Sequence, residues 1–243
     1  GIIWSSKKGH FHHDDFVGVE YGSMVRARKG VSKSHRPKPG DPIHAGWIVL
    51  MHPSPDLWTL SLNHRTQILY DADIAMILLH LEVRPGAVIF ESGTGSCSLS
   101  TSIANAIAPT GHLYTFEFNE ERFASARHDL QLMKVDHIAT CIHRNVIADG
   151  FAIADRENIV ADAVFLDLPA PWDAVHHADG VLRPFGKICS FSPCMEQVQR
   201  TCQVLRSLGF IEIITLECLR RTFDAVVTQF PQANFASFTK DDG

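Results

Sequence analysis

Between residues 87 and 208, apolar runs of strand length alternate with stretches of helical period, and this order leaves the chain few folds. AVIF (87–90), HLYTFEF (112–118), HIATCIH (137–143), ADAVFLDL (161–168) and KICSF (187–191) read as strands. Residues 98–107, 119–133, 173–182 and 195–208 read as the accompanying helices. Parallel strands need long crossovers, usually helical, so the order predicts an α/β fold with a mostly parallel, doubly wound sheet. Ahead of it, GWIVLM (46–51) reads as a strand, and DADIAMILLHLEV (71–83) has helical spacing that ends in the turn Arg84-Pro85-Gly86. Two further strand-like runs, FIEIITLECL (210–219) and DAVVTQF (224–230), have no helix between them and predict a terminal antiparallel hairpin.

The junction of the first strand and first helix of the series is FESGTGSCSLS, residues 90–100, a glycine-rich strand-turn-helix passage. A dinucleotide fingerprint counted from Gly93 and Gly95 requires Gly or Ala at 98, where this chain has Ser98, so an NAD-linked oxidoreductase needs that serine to be tolerated. The looser pattern for S-adenosylmethionine, an acid followed by G-x-G-x-G, fits Glu91, Gly93 and Gly95 and puts Cys97 at the third glycine. Cys97 is expected to be harmless there, because the third glycine serves close packing of helix on strand and cysteine is small and readily buried. Alone, such a turn is also compatible with a mere tight connection.

Two acids supply context. Glu117 closes the next strand about twenty residues after the glycines, where a carboxylate can accept two ribose hydroxyls. Asp167 ends the buried run of FLDLPAPW (165–172), at the strand end where open α/β sheets bind ligands, although the same residue could simply cap the following helix. An acid followed by prolines and an aromatic is similar to the D/N-P-P-Y/F/W loop of amino-methyltransferases, and a terminal hairpin is the usual finish of the Rossmann-like methyltransferase fold.

Charge and cysteine usage narrow the class further. The net charge is −5, yet residues 1–40 carry eight Lys and Arg against three acids, which leaves −10 for residues 41–243. A basic N-terminal segment can face a polyanion, while the remainder is unlike a free-standing nucleic-acid binder. RARKGVSKSHRPKPGDP (26–42) reads as an exposed basic loop. No apolar run approaches the roughly 18 residues of a membrane helix, and the start lacks both Met and a secretory signal, so Gly1 is expected to be a boundary or a processed end. Six cysteines with no CxxC pair and no regular spacing fit a reducing, intracellular compartment. HFHHDD (10–15) crowds His and Asp but lacks a distant partner set, so no metal site is expected.

Five segments together resemble one family: PDLWTLSLNHRTQILYDADIAMI, VIFESGTGSCSLS, AIAPTGHLYTFEFNEER, ADAVFLDLPAPWDAV and CSFSPCMEQVQRTCQVL. They are similar to the catalytic subunit of the eukaryotic tRNA adenine-N1 methyltransferase, which modifies adenosine 58 of the T loop. GHFHHDDFVGVEYGSMV (9–25) resembles the end of that family's small β-rich N-terminal domain, whose earlier strands are expected to be absent here. The resemblance implies residues 1–45 as a remnant of that domain with its basic loop, and residues 46–243 as a Rossmann-like catalytic domain with a seven-stranded sheet. It implies S-adenosylmethionine wrapped by Ser92, Gly93, Thr94, Gly95, Ser96, Cys97 and Ser98 behind Glu91, with Gln67 and Leu69 covering it. Glu117 would hold the ribose, Arg122 would stand near the adenine end, Asn145 and Val146 would flank the cofactor's adenine, and Asp167 would meet the target base at the edge of the cofactor. Position 145 is more often acidic in the family. Also implied are tRNA as substrate, a related non-catalytic tRNA-binding subunit in a heterotetramer, no metal, no membrane, and a nuclear location. The rival within the same complex, the non-catalytic subunit, would carry a degraded turn, whereas Gly93, Gly95, Glu117 and Asp167 are intact.

Overall fold

A computed structural model describes residues 3–6, 8–28, 46–62, 67–153, 159–219, 221 and 223. Two short antiparallel ladders come first: β1 (Ile3–Ser6) pairs with β2 (Gly9–His12), and β3 (Met24–Arg26) pairs with β4 (Trp47–Val49). The strand expected at GWIVLM therefore joins the N-terminal β-rich segment and has no ladder to the central sheet. Asp15 forms an ion pair with Arg28, with the guanidinium Nε 2.8 Å from Oδ2, which offsets one of the basic charges of this region. Lys29 and most of the basic loop lie outside the described residues.

Next come α1 (Pro55–Ser61), capped by Ser54, whose hydroxyl accepts from the Leu57 N–H, and α2 (Asp71–His80). The central units are β5 (Val88–Ser92), α3 (Ser98–Ile107), β6 (His112–Glu117), α4 (Glu120–Leu132), β7 (Ala139–His143), the single turn α5 (Val146–Asp149), and β8 (Ala161–Asp167). A 3-10 turn (Pro171–Asp173), α6 (Val175–Asp179), β9 (Leu182–Phe191) and α7 (Met195–Ser207) complete them. The five central strands pair only in parallel, in the order β7-β6-β5-β8-β9. From β5 the chain winds outward through β6 and β7, then returns to place β8 on β5's other side, so the winding reverses between β5 and β8.

Period-2 alternation explains why both faces are covered. Ile89, Leu113 and Phe165 face one core with Ile103, Ile107 and Leu130, while Phe90, Tyr114, Val164 and Leu166 face the other with Phe151, Val175 and Leu205. The second core centres on Phe90, whose ring lies 5.4 Å from Tyr114, 5.7 Å from Phe116 and 5.8 Å from Phe151. Among the described residues no helix is long and apolar enough to cross a membrane.

Three expectations shift. The helix expected over 173–182 is only Val175–Asp179, behind a 3-10 turn, and β9 begins five residues early, with a register irregularity opposite Ala161 and Ala163. Residues Arg183 to Gly186 take up the slack, and Arg183 Nε donates to Asp162 at 2.7 Å. The run 210–219 has no ladder among the described residues, and its expected hairpin partner at 224–230 lies outside them.

Phe90→Ala should lower stability by about 3–5 kcal/mol through the cavity left among three aromatic neighbours. Phe185→Ala, at a residue 92% exposed, should change it by less than about 0.5 kcal/mol. Urea unfolding followed by circular dichroism measures both.

Candidate active site

The carboxyl ends of β5, β6 and β8 lie side by side, and each delivers one sequence-predicted feature: the glycine turn, Glu117 and Asp167. Gly93 sits where the winding reverses. Its φ of +94° suits glycine, and a Cβ there would fall 2.1 Å from the backbone oxygen of Asp167, so the close approach of β5 to β8 admits no side chain. The turn is tied to β6 as well, through the N–H groups of Gly93 and Thr94 on the Phe116 carbonyl at 3.0 and 3.4 Å and a Thr94–Thr115 hydroxyl contact of 2.6 Å.

Cys97 corrects the expectation of a position that matters for packing alone. It is fully buried, but its φ of +59° and ψ of +21° are left-handed, the conformation that favours glycine. Local bonds hold it: its N–H donates to the Thr94 carbonyl at 3.0 Å, and its carbonyl accepts the N–H and hydroxyl of Thr101 at 3.1 and 3.0 Å. Its Sγ lies 3.7 Å from the Ala126 carbonyl on α4.

Glu91 lies beneath the turn at 1% exposure and accepts from Ser100 Oγ at 2.6 Å. Burial pushes its carboxyl up to about 7, with the hydroxyls of Ser100 and Thr115 pulling the other way and the charges of Asp167 and Glu117 adding to the rise. Burial likewise pushes Asp167 up to about 6. Glu117 is organised by a different means. Its Oε1 accepts from the Asn119 N–H at 3.0 Å and from Nε and Nη2 of Arg122 at 3.1 and 2.8 Å, while Oε2 accepts the Gly95 N–H at 3.2 Å. Arg122 is thus Glu117's ion-pair partner, and Oε2 retains acceptor capacity.

The other predicted residues divide by role. Asn145 caps α5, its Oδ1 accepting from the Ile147 N–H at 3.1 Å, and Val146 buries its side chain in the Phe116 core. Leu69 is buried in the other core, and its carbonyl accepts from Ser98 Oγ at 2.7 Å. The Ser98 hydroxyl also lies 2.8 Å from that of Thr59 on α1, so the serine that departs from the dinucleotide fingerprint ties α1 and the 67–70 segment to the turn. Gln67 is exposed, and His64, Arg65 and Thr66 lie outside the described residues. Ser92, Thr94, Ser96 and Ser98 are all buried in the turn. Among the described residues no group of three or more His, Cys, Asp or Glu is arranged to hold a metal.

Three contacts escaped sequence reasoning: Thr59 on Ser98, Gln197 on Pro169, and Arg200 over Trp172. Each spans 28 residues or more and leaves no local spacing to read. For the Gln197 contact, the segment FSPCMEQVQ was the available signal.

Residues 46–242 match the family described as tRNA methyltransferase complex GCD14 subunit. The chain belongs to that family. It is 43% identical over 236 residues to a Dictyostelium discoideum tRNA (adenine(58)-N(1))-methyltransferase catalytic subunit, covering 97% of this chain and 71% of that one. It is 42% identical over 227 residues to the Candida albicans catalytic subunit TRM61, covering 93% of this chain and 63% of that one. Among solved structures it resembles a SAM-dependent O-methyltransferase from Thermotoga maritima, with a TM-score of 0.77, 25% identity, and coverage of 93% of this chain and 77% of that one. Within this family the sheet order and glycine turn are those of a Rossmann-like methyltransferase fold.

Because the turn's own hydrogen bonds hold Cys97 left-handed, its strain belongs to folding. Cys97→Gly should lower stability by about 1 kcal/mol, since lost burial and added chain entropy exceed a strain relief of about 1 kcal/mol. The affinity for S-adenosylmethionine should change less than threefold by calorimetry, and a tenfold tightening would contradict this assignment.

Proposed function

We propose that this chain is the catalytic subunit of a two-subunit tRNA methyltransferase that transfers a methyl group from S-adenosylmethionine to N1 of adenosine 58 in the T loop. The observation that carries the reading is the convergence of the glycine turn, Glu117 and Asp167 on adjacent strand ends beside the Gly93 approach. A degraded turn, as a non-catalytic subunit would have, is not what stands there.

The residues fit the donor. Left-handed Gly93 and Gly95 give a turn without side chains at its two glycine positions, and Oε2 of Glu117 keeps capacity for a ribose hydroxyl. S-adenosylmethionine supplies a methyl activated on a cationic sulfur. Glu91 and Asp167, both raised by burial, gain from a cation placed near them, so donor binding should strengthen as pH rises through about 6 to 7.

Adenine N1 keeps an in-plane lone pair, so the protein's task is alignment and no side-chain nucleophile is required. As the methyl transfers, positive charge spreads to the exocyclic amine, and Asp167 accepts its hydrogen bond more strongly then than in the ground state. N1 lies on the pairing edge, so the nucleotide must leave its stack at a cost of about a few kcal/mol. Asp167 acts as a carboxylate, so the rate should rise with pH through about 6, or lower once the cationic donor is bound.

Asp167→Ala should remove most methyl transfer with donor affinity within a few-fold. Glu117→Ala should weaken donor binding by a few kcal/mol at most, with transfer partly restored at high donor concentration. Equal losses of donor binding in both variants would show that the roles are wrongly divided.

With a −10 balance over residues 41–243, net positive charge is confined to the N-terminal segment, where Arg28 is already paired with Asp15, too small a surface for a tRNA body whose phosphates dominate affinity. The partner subunit is therefore expected to supply most tRNA binding. Methyl transfer and tRNA binding at fixed moderate salt, for the chain alone and co-expressed with its partner, test this. Full single-turnover activity and submicromolar tRNA binding by the isolated chain would reject it. A nuclear location belongs to the same reading and is checked by imaging the tagged protein.

A further inference from the structure

The segment FSPCMEQVQ becomes the start of α7, and its conspicuous polar residue does something a helix start does not ask of it. Cys194 is the N-cap and Gln197 lies three residues on, the spacing at which a glutamine ordinarily folds back on the N-cap N–H. Here Gln197 Nε2 donates instead to the Pro169 carbonyl at 2.9 Å, while its Oε1 accepts from Cys194 Sγ at 3.2 Å, which orients the amide. One turn further along α7, the Arg200 guanidinium lies 5.2 Å from the centre of the Trp172 ring. Both contacts meet the loop that leaves β8 directly after Asp167. Pro169 and Pro171 give this loop no N–H at two positions, so contacts through its carbonyls and rings fix its path.

We propose that Gln197 is a positioning residue for methyl transfer, holding the loop behind Asp167 so that the carboxylate meets the target base in register. The inference rests on the methyltransferase reading above. Asp167 is then bracketed on one side by the Gly93 approach, which sets its backbone, and on the other by the loop that Gln197 holds. Among the described residues Gln197 makes no hydrogen bond to the donor turn or to Glu117, so its effect falls on the base and leaves the donor alone. Misplacement of a catalytic group by a fraction of an ångström to an ångström is enough to lower a rate tenfold or more.

The test uses the chain assembled with its partner subunit, unmodified tRNA and S-adenosylmethionine. Gln197→Ala should lower kcat about tenfold at saturating donor, with the donor Kd within twofold and the thermal midpoint within about 2 °C of wild type. Gln197→Glu keeps the shape but loses the donor and should fall with it; Gln197→Lys keeps a long donor and should retain kcat within threefold. Wild-type kcat in the Ala or Glu variant, or a parallel loss of donor affinity, overturns the proposal. If the Ala variant fails to fold, the near-isosteric Glu variant decides. A wild-type complex that neither binds the donor nor methylates tRNA overturns the methyltransferase reading itself and this inference with it, a result visible before any variant is made.

Discussion

The close approach of β5 and β8 at Gly93 and Asp167 is the constraint on which the site depends. Parallel strands leave their last N–H and carbonyl groups at one edge of the sheet, and the reversal of winding opens a crevice there. With no Cβ at 93, the turn lies directly against the backbone that carries Asp167. The same turn reaches sideways to β6 through the Phe116 carbonyl and Thr115, so three strand ends are tied together. That arrangement suits a reaction in which the protein's main task is alignment.

Around this junction the acids are handled in two different ways. Glu117 is buried but compensated by Arg122, Asn119 and Gly95, which fix its orientation and leave Oε2 room for one more donor. Glu91 and Asp167 have fewer compensating donors, and burial shifts both toward the neutral form. One carboxylate is thus fixed in place, and two are held where added positive charge changes their state.

Much of this was legible in the sequence because it rests on local pattern. Apolar alternation located the five central strands, the stretch after the glycines gave a helix at residues 98–107, and the spacing from Gly93 to Glu117 singled out the second strand end. Contacts between distant segments were not legible. Ser98 looked like a flaw in a fingerprint, and only the arrival of α1 and Leu69 made it a junction. Arg122, expected near the adenine end of the cofactor, is also Glu117's ion-pair partner, brought back by the first turn of α4.

Cys97 shows where local pattern stops. Its type and place follow from the sequence, but the left-handed backbone it adopts is imposed by the Thr94 and Thr101 hydrogen bonds that close the turn onto α3. The sequence by itself determined the fold class and the strand ends at which the glycine turn, Glu117 and Asp167 stand, since periodicity and motif spacing are properties of neighbouring residues, and its motifs carried the resemblance to the family. Tertiary structure alone decided which side chains share a hydrogen bond across the sheet's edge, which carboxyls lose their water, and which strand β4 would join. Those outcomes depend on how separate elements pack, and burial and pairing are set only when they meet.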